Sequence, residues 1–205
     1  TKSDLKSVKS YYEAIIVEFF SLRMFNYEMS LELITTESPP PKYLEQFKKL
    51  NVTIKIVPFN NRPPKGYSSK FLGCFYLLDA LSENEKEDCL YLDPDVICIK
   101  SIEPLLPSNQ GIKAYELEVK KDSIISGLSI NESYLVTNEI FHRNTGLTIE
   151  YKFYGGEFYF IPCDQRQLCK QLIDLLYLDS KNRFSQGLSY FPTEEHLLSA
   201  AFSKL

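Results

Sequence analysis

The sequence predicts an α/β domain with a largely parallel central sheet. Over the first hundred residues, strand-like and helix-like segments alternate, and the order strand–helix–strand–helix–strand is the signature of this class. The continuously apolar segment Cys89–Leu92 is typical of a central strand of such a sheet, buried on both faces. With 205 residues, the chain is long enough for one domain with a substantial core.

The individual elements follow from the spacing of apolar residues. Helices, with a period near 3.6 residues, are predicted over 8–25, 43–50, about 68–81, 165–178 and 194–205. Strands are predicted over 29–35, 52–57, 89–92, 113–119 and 155–161. Ser68 or Ser69 and Thr193 are the expected helix caps, and the polar residues 122–144 carry no predicted element. The first segment has an alternative, a strand at 14–17, but the helix is favoured.

Two aspartates interrupt the most apolar run of the chain. Asp93 and Asp95 flank Pro94, with apolar residues on both sides. Unpaired buried carboxylates are costly, and a hard divalent cation is the simplest group that compensates two of them. Pro94 donates no backbone hydrogen bond and suits the end of a strand, where open α/β sheets bind ligands. The residues alone leave a second interpretation open, a surface β-turn.

Composition excludes several classes of function. The 23 basic and 27 acidic residues give a net charge of −4, which disfavours a general nucleic-acid binder. No apolar stretch is long enough for a transmembrane helix. With only two histidines, a metal site must rest largely on carboxylates or thiolates, which favours Mn²⁺ or Mg²⁺ over zinc. Five cysteines without a C-x-x-C pair predict reduced thiols and a cytoplasmic location, with a lumenal ectodomain of a membrane-anchored enzyme as the alternative.

The segment from Cys89 to Leu105, with its Tyr-Leu-Asp-Pro-Asp core, resembles the YLD-x-D segment of glycosyltransferases with the Rossmann-like GT-A fold. The resemblance is to the retaining glycogenin-like and blood-group-type (galactosyl and N-acetylgalactosaminyl) families, and residues 70–78 are similar to the helix that precedes the motif there. It implies one GT-A domain over 1–205, with a nucleotide-binding half to about 105 and an acceptor and catalytic half from about 106. It also implies Mn²⁺ or Mg²⁺ on Asp95, with Asp93 on the metal or the ribose.

A second segment, Phe153–Ile161, is similar to the Gly-Gly aromatic strand that lines the sugar and acceptor pocket of the blood-group-type enzymes. Gly155 and Gly156 allow a ligand or another backbone to approach closely, and the aromatic residues beside them offer flat faces to a sugar. Taken by itself, the segment is also compatible with a core strand that has a bulge at the two glycines. Glu157 is then the residue that needs a partner or solvent.

A third segment, Thr193–Ser199, resembles the D-E-S-H-L-N segment of the same enzymes, although three of its positions differ. Glu194 matches the glutamate that lies beside the anomeric carbon, and His196 matches the histidine. The resemblance implies Glu194 as the catalytic carboxylate, with Glu157 as the second candidate and Glu195 as an alternative to Glu194. The residues alone also fit an acidic first helical turn that complements the helix dipole.

Together these segments predict a metal-dependent hexosyltransferase. It would move a hexose from a nucleotide diphosphate sugar, with a UDP-sugar favoured, to a hydroxyl group of a glycan or another acceptor. The resemblance implies retention; the alternative is inversion, in which one of these carboxylates acts as a general base on the acceptor hydroxyl. The residues implied in donor binding are Lys70, Asp93, Gly155, Gly156 and His196. The His-x-x-Gly-x-x-Lys segment of the glycogenin-like families is not found, which leaves the third metal ligand unassigned. The alternatives are a non-catalytic carbohydrate- or nucleotide-sugar-binding domain on the same fold, and a nucleotidyltransferase.

Overall fold

The computed structural model describes residues 2–67, 72–83, 87–106 and 111–205. The helices of this part of the chain are α1 (Lys2–Phe25), α2 (Pro41–Lys49), α3 (Tyr76–Ala80), α4 (Ile130–Thr145), α5 (Cys163–Ser185) and α6 (Glu194–Phe202). The strands are β1 (Leu31–Thr35), β2 (Val52–Ile56), β3 (Cys89–Leu92), β4 (Lys113–Glu116), β5 (Ile124–Ile125), β6 (Leu128–Ser129) and β7 (Tyr154–Ile161). None of the described helices is long and apolar enough to cross a membrane.

These elements divide into two compact units. The first unit comprises Thr1–Pro58 and Leu92–Gln110, and the second comprises Phe59–Tyr91 and Gly111–Leu205. Residues 59–91, which the sequence assigns to a nucleotide-binding half, therefore group with the C-terminal part of the chain. The class is mixed α/β, as predicted.

In the first unit, α1 packs against a β–α–β arrangement. Strands β1 and β2 are parallel, with Leu31 opposite Val52, and α2 connects them. Helix α1 contributes Ile15 and Phe19 to the core, and the Phe19 ring meets the fully buried Phe47 edge-on, with 6.1 Å between ring centroids. Ile15, Phe19 and Leu22 follow one another at four and three residues on one buried face, which is a helical spacing, and the helix predicted here is confirmed over the alternative strand.

The segment that follows Asp95 is fastened to the end of α1. The backbone N–H of Cys98 donates to Ser21 Oγ at 2.9 Å, and that of Ile102 donates to Asn26 Oδ1 at 2.9 Å. Ser101 Oγ donates to the same Asn26 oxygen at 3.2 Å, and the Asn26 side chain is buried. Side chains of α1 thus supply the hydrogen-bond partners that strand pairing would otherwise provide.

The second unit contains a three-stranded sheet in the order β3–β7–β4. The position predicted for Cys89–Leu92 was wrong, because this strand lies at an edge of the described sheet and is only partly buried. Strand β7 is the central strand of this sheet. It therefore carries the most buried residues of the three strands, among them Tyr159 and Ile161. A mostly parallel central sheet is not shown: β1 and β2 are parallel, whereas β4 pairs with β7, and β5 with β6, in antiparallel orientation.

The region 122–144, which carried no predicted element, forms the β5–β6 hairpin and most of α4. Ser129 caps α4 through a capping box, because its Oγ accepts from the Glu132 N–H at 3.1 Å while Glu132 Oε2 accepts from the Ser129 N–H at 3.1 Å. Val136 and Ile140 are buried on the face that packs into the core. The exposed polar residues of α4 obscured a helical pattern whose start was marked by the S-x-x-E signature.

The remaining predicted elements are confirmed with shifted ends. In place of one helix over 68–81, a 3₁₀ helix at Leu72–Phe75 leads into the short α3, and the expected caps Ser68 and Ser69 lie outside the described residues. Helix α5 extends beyond its predicted range at both ends. Its residue Ser180 accepts a hydrogen bond from the Tyr67 hydroxyl at 2.6 Å inside the core.

We expect Asn26→Ala to lower the free energy of unfolding by about 2 kcal/mol, because the half-buried N–H of Ile102 then loses the acceptor that the buried Asn26 supplies. Urea denaturation followed by circular dichroism measures the change. Asn131→Ala is the control, since Asn131 is exposed and should shift stability by less than about 0.5 kcal/mol. Equal stabilities of the two variants would contradict the role assigned to Asn26.

Candidate functional site

In the first unit, Asp93 and Asp95 follow directly after β3 and are both exposed. The backbone N–H of Val96 donates to the Asp93 carbonyl at 3.1 Å, so the chain turns at Pro94 and Asp95. The β-turn interpretation is therefore confirmed for the backbone. A turn at the end of a strand also leaves both carboxylates accessible to a ligand.

Glu18 of α1 is a buried carboxyl group that the sequence analysis did not single out. The residue is only 5% exposed. Burial raises the pKa of the Glu18 carboxyl to about 8, and the negative charges of Asp93 and Asp95 contribute to the rise. A signal for it was present, because Glu18 sits between Val17 and Phe19 in an apolar stretch of a helix.

A cavity of about 330 Å³ lies beside Asp95, within the first unit. Its walls come from α1 and from the turn, and the lining residues are Glu13, Ala14, Val17, Pro94, Asp95, Val96 and Ile97. The volume is at the lower end of the range for small-molecule sites, which suits one moiety of a larger ligand. The walls are mostly apolar, and the carboxylates of Glu13 and Asp95 are their charged groups.

The donor chemistry of this region fits a hard divalent cation. Mg²⁺ is typically held by one or two carboxylates, with water and substrate phosphates as the remaining ligands, and Asp93 and Asp95 supply two carboxylates. In the described ranges, no three His, Cys, Asp or Glu side chains are placed so as to hold a metal ion. The pair thus suits a cation that completes its coordination from a bound ligand and from solvent.

In the second unit, the two glycines of β7 leave room for glutamate side chains. The N–H of Gly156 donates to Glu195 Oε1 at 3.2 Å, and a Cβ at position 156 would lie 2.9 Å from that oxygen. A Cβ on Gly155 would collide with the exposed carboxylate of Glu157. The β4–β7 register shifts opposite these residues, between Ala114 and Glu116, so the core strand with an irregularity at the glycines is confirmed.

Glu194 and Glu195 form the first turn of α6, where the positive end of the helix dipole favours acidic residues. Glu194 is partly buried beside the Cys74 thiol. Burial raises the pKa of Cys74, and the carboxylate of Glu194 adds to the rise. The second unit therefore brings Glu194, Glu195 and the Gly-Gly segment of β7 together.

His196 lies in the core of the second unit. It is fully buried, its Nδ1 is 2.8 Å from Thr193 Oγ1, and the Phe153 ring approaches it edge-on with 5.3 Å between centroids. Burial lowers the pKa of His196 to about 4, so the ring is neutral at pH 7. Thr193 stands at the predicted N-cap position, but its side chain bonds to His196 rather than to a backbone N–H.

Lys70, the remaining predicted site residue, lies outside the described residues. Comparison of the chain with protein-family models, with curated proteins and with solved structures finds no match. The resemblance to GT-A glycosyltransferases is therefore carried by the motifs of this sequence.

We expect the stability of the protein to depend on His196 between pH 6.5 and pH 4. In this window the unfolded chain binds a proton at position 196 that the folded chain does not, so stability falls as the pH falls. The loss attributable to His196 is about 3 kcal/mol over the window. Chemical denaturation at a series of pH values should therefore give a flatter profile for His196→Gln than for the wild type.

His142→Gln is the matched control, because His142 is the other histidine of the chain and is exposed. Its pH profile should parallel that of the wild type. A His196→Gln profile as steep as the wild-type profile would show that the buried ring does not titrate as described.

Proposed function

We propose that this chain is a metal-dependent glycosyltransferase with a GT-A-type fold, which moves a hexose from a nucleotide diphosphate sugar to a hydroxyl acceptor with retention. The mostly parallel Rossmann-like sheet of that fold is part of the proposal. The observation that carries it is the pair of exposed carboxyl groups in the first unit, Asp93 and Asp95, which follow β3 at a turn beside a cavity.

A divalent cation is the ligand that this group of carboxyls favours most. Like charges raise one another's energy, and a cation between them turns that repulsion into attraction. When bound, the cation neutralises the charge that develops on a departing diphosphate. The role of Asp93 and Asp95 is to hold the cation, and the cavity beside Asp95 gives room for part of the donor.

Glu194 and Glu157 of the second unit are the proposed reaction carboxylates. Retaining transfer requires a carboxylate that stabilises positive charge at the anomeric carbon or attacks it, as in retaining glycosidases. Glu194 is assigned this role on the match of its motif, and it lies in the first turn of α6, where the helix dipole favours an acidic residue. Glu157 is the second candidate, because it is exposed beside Gly155.

A non-catalytic nucleotide-sugar-binding domain is the second candidate function. It is favoured by the engagement of Glu194 with the Cys74 thiol, since a catalytic carboxylate has to be available to the substrate. Slow hydrolysis of a nucleotide sugar in the presence of Mn²⁺ distinguishes an enzyme from a binding domain. The binding domain predicts donor binding with no hydrolysis.

We expect a UDP-sugar to raise the melting temperature in the presence of Mn²⁺ more than without it. At about 100 times Kd, binding adds about 2.7 kcal/mol of apparent stability, which corresponds to roughly 5–10 °C for a chain of this size. Thermal-shift measurements with UDP-, GDP- and CMP-sugars identify the donor class. Asp95→Ala should abolish the Mn²⁺-dependent shift.

Glu45→Gln is the control for this experiment, because Glu45 is an exposed carboxylate of α2 in the same unit. It should keep the full shift. Unchanged Mn²⁺-dependent affinity in Asp95→Ala, measured by calorimetric titration, would refute the metal site.

Glu194→Gln should lower the transfer rate by about 100-fold or more, because the amide carries no charge to stabilise the transition state. Its Mn²⁺-dependent donor binding should stay at the wild-type level. NMR of the product anomer tests retention directly. Full activity in Glu194→Gln would exclude this residue and leave Glu157→Gln as the next variant to assay.

A further inference from the structure

Helix α6 and the chain at the start of β7 are joined by side chains. Three main-chain N–H groups of this stretch donate to side chains of α6 and its C-terminal cap: Gly156 to Glu195 Oε1 at 3.2 Å, Tyr154 to Ser199 Oγ at 2.9 Å, and Lys152 to Ser203 Oγ at 2.8 Å. We call these bonds the α6–β7 ladder. All of its members belong to the second unit, and they give acceptors to N–H groups that would otherwise need a neighbouring strand or water.

The ladder forms because the helix and the strand repeat at nearly the same distance. Its acceptors occupy every fourth residue, which is about 6 Å along a helix, and its donors occupy every second residue, which is about 6.6 Å along an extended chain. Phe153, between two donors, points the other way, since its carbonyl accepts from the Leu117 N–H at 2.9 Å. Shifting α6 by one residue would turn every acceptor about 100° away from its donor, so the ladder allows a single register.

The first bond of the ladder, between Gly156 and Glu195, differs from the other two. Its acceptor is a carboxylate in place of a serine hydroxyl, and a carboxylate is the stronger acceptor. The longer side chain lies over the strand at Gly156, where a Cβ would be 2.9 Å from Oε1 and 3.6 Å from Cγ and Cδ of Glu195. Glycine at position 156 therefore makes room for the glutamate that its N–H binds.

Two anchored residues flank Glu194, the proposed reaction carboxylate. On one side, the buried Thr193 places its Oγ1 2.8 Å from Nδ1 of the buried His196. On the other side, Glu195 is bound to the N–H of Gly156. We propose that Glu195 is a positioning residue, which fixes the first turn of α6 on β7 and so sets the place of Glu194 at the reaction centre. This role rests on the proposed function and differs from that of a reaction carboxylate.

The test compares two substitutions of Glu195 in the full chain. The assay is Mn²⁺-dependent hydrolysis of UDP-glucose, UDP-galactose and their N-acetylamino analogues, which releases UDP and the free sugar. Glu195→Ala should lower kcat by about 10- to 100-fold, the cost of a misplaced reacting group, and leave KM for the donor within about twofold. Glu195→Gln keeps an oxygen that accepts from the Gly156 N–H, and its kcat should stay within about threefold of the wild type. Equal losses in both variants would make Glu195 itself the reaction carboxylate and overturn the proposal.

Ser203→Ala is the matched control, because it removes the bond at the opposite end of the same ladder, about two and a half helical turns from Glu194. Like Glu195→Ala, it removes one hydrogen bond and should lower the melting temperature. Its kcat should nevertheless stay within about twofold of the wild type, since the first turn of α6 keeps its own bond. A loss of kcat equal to that of Glu195→Ala would mean that general loosening of α6 lowers activity, and would overturn the proposal.

Hydrogen exchange of the main-chain amides, followed by NMR, tests the ladder without relying on activity. The Gly156 amide should exchange about tenfold or more faster in Glu195→Ala than in the wild type, while Ser199 keeps the Tyr154 amide protected. Unchanged exchange at Gly156 would overturn the proposal. If the wild type hydrolyses the sugars and Glu195→Ala keeps full kcat, the role of Glu195 fails while the proposed function stands. If the wild type hydrolyses none of them, the proposed function fails, and the role of Glu195 in it fails with it.

Discussion

The hydrogen bonds of Asn26 are the interaction on which the arrangement of the first unit depends. Its side-chain oxygen accepts from both Ser101 and Ile102, and its amide nitrogen donates to the Leu22 carbonyl at 3.2 Å. Because both the amide nitrogen and the oxygen of this buried side chain are hydrogen-bonded, Asn26 fixes residues 101 and 102 against the end of α1. Asp93 and Asp95 precede this anchored segment, so the end of α1 determines where their turn can lie.

Helix α1, which anchors the turn, also carries a buried carboxyl group whose pKa is raised by its burial and by the charges of Asp93 and Asp95. Ile15, Phe19 and Leu22 are buried by one face of α1, and Glu18 is buried with them. Burial makes the charged form of this carboxyl costly, which is why its pKa rises to about 8 and the group is protonated at pH 7.

The elements that the sequence predicted most accurately are those with a strong, local apolar pattern. Strands β1 and β2 agree with their predicted ends to within two residues, and helix α1 ends at the predicted residue but begins six residues earlier. The place of Cys89–Leu92 in its sheet was mispredicted, because an edge and a centre differ only in long-range pairing, which apolar content does not encode. Helix α4 was missed since polar residues cover its exposed side, although its capping box was readable.

The candidate site was predictable only in part, for a related reason. Asp93 and Asp95 stand out because they interrupt an apolar run, whereas Glu18 is far from them in sequence and comes under the influence of their charges only through folding. Sequence motifs therefore show the part of a site that is contiguous and hide the part that another element contributes. Lone charged residues inside predicted apolar helix faces are the signal that recovers that second part.

The glycine pair of β7 shows that a structural and a functional interpretation of one motif need not compete. Gly155 and Gly156 interrupt the ladder with β4, as a core irregularity does, and the space they leave is filled by the carboxylates of Glu157 and Glu195. Because the Gly156 N–H also holds Glu195, the glycines keep acidic groups at the surface of the sheet without a side chain in between. The proposed retaining transfer requires a carboxylate, and these glycines leave space for two of them.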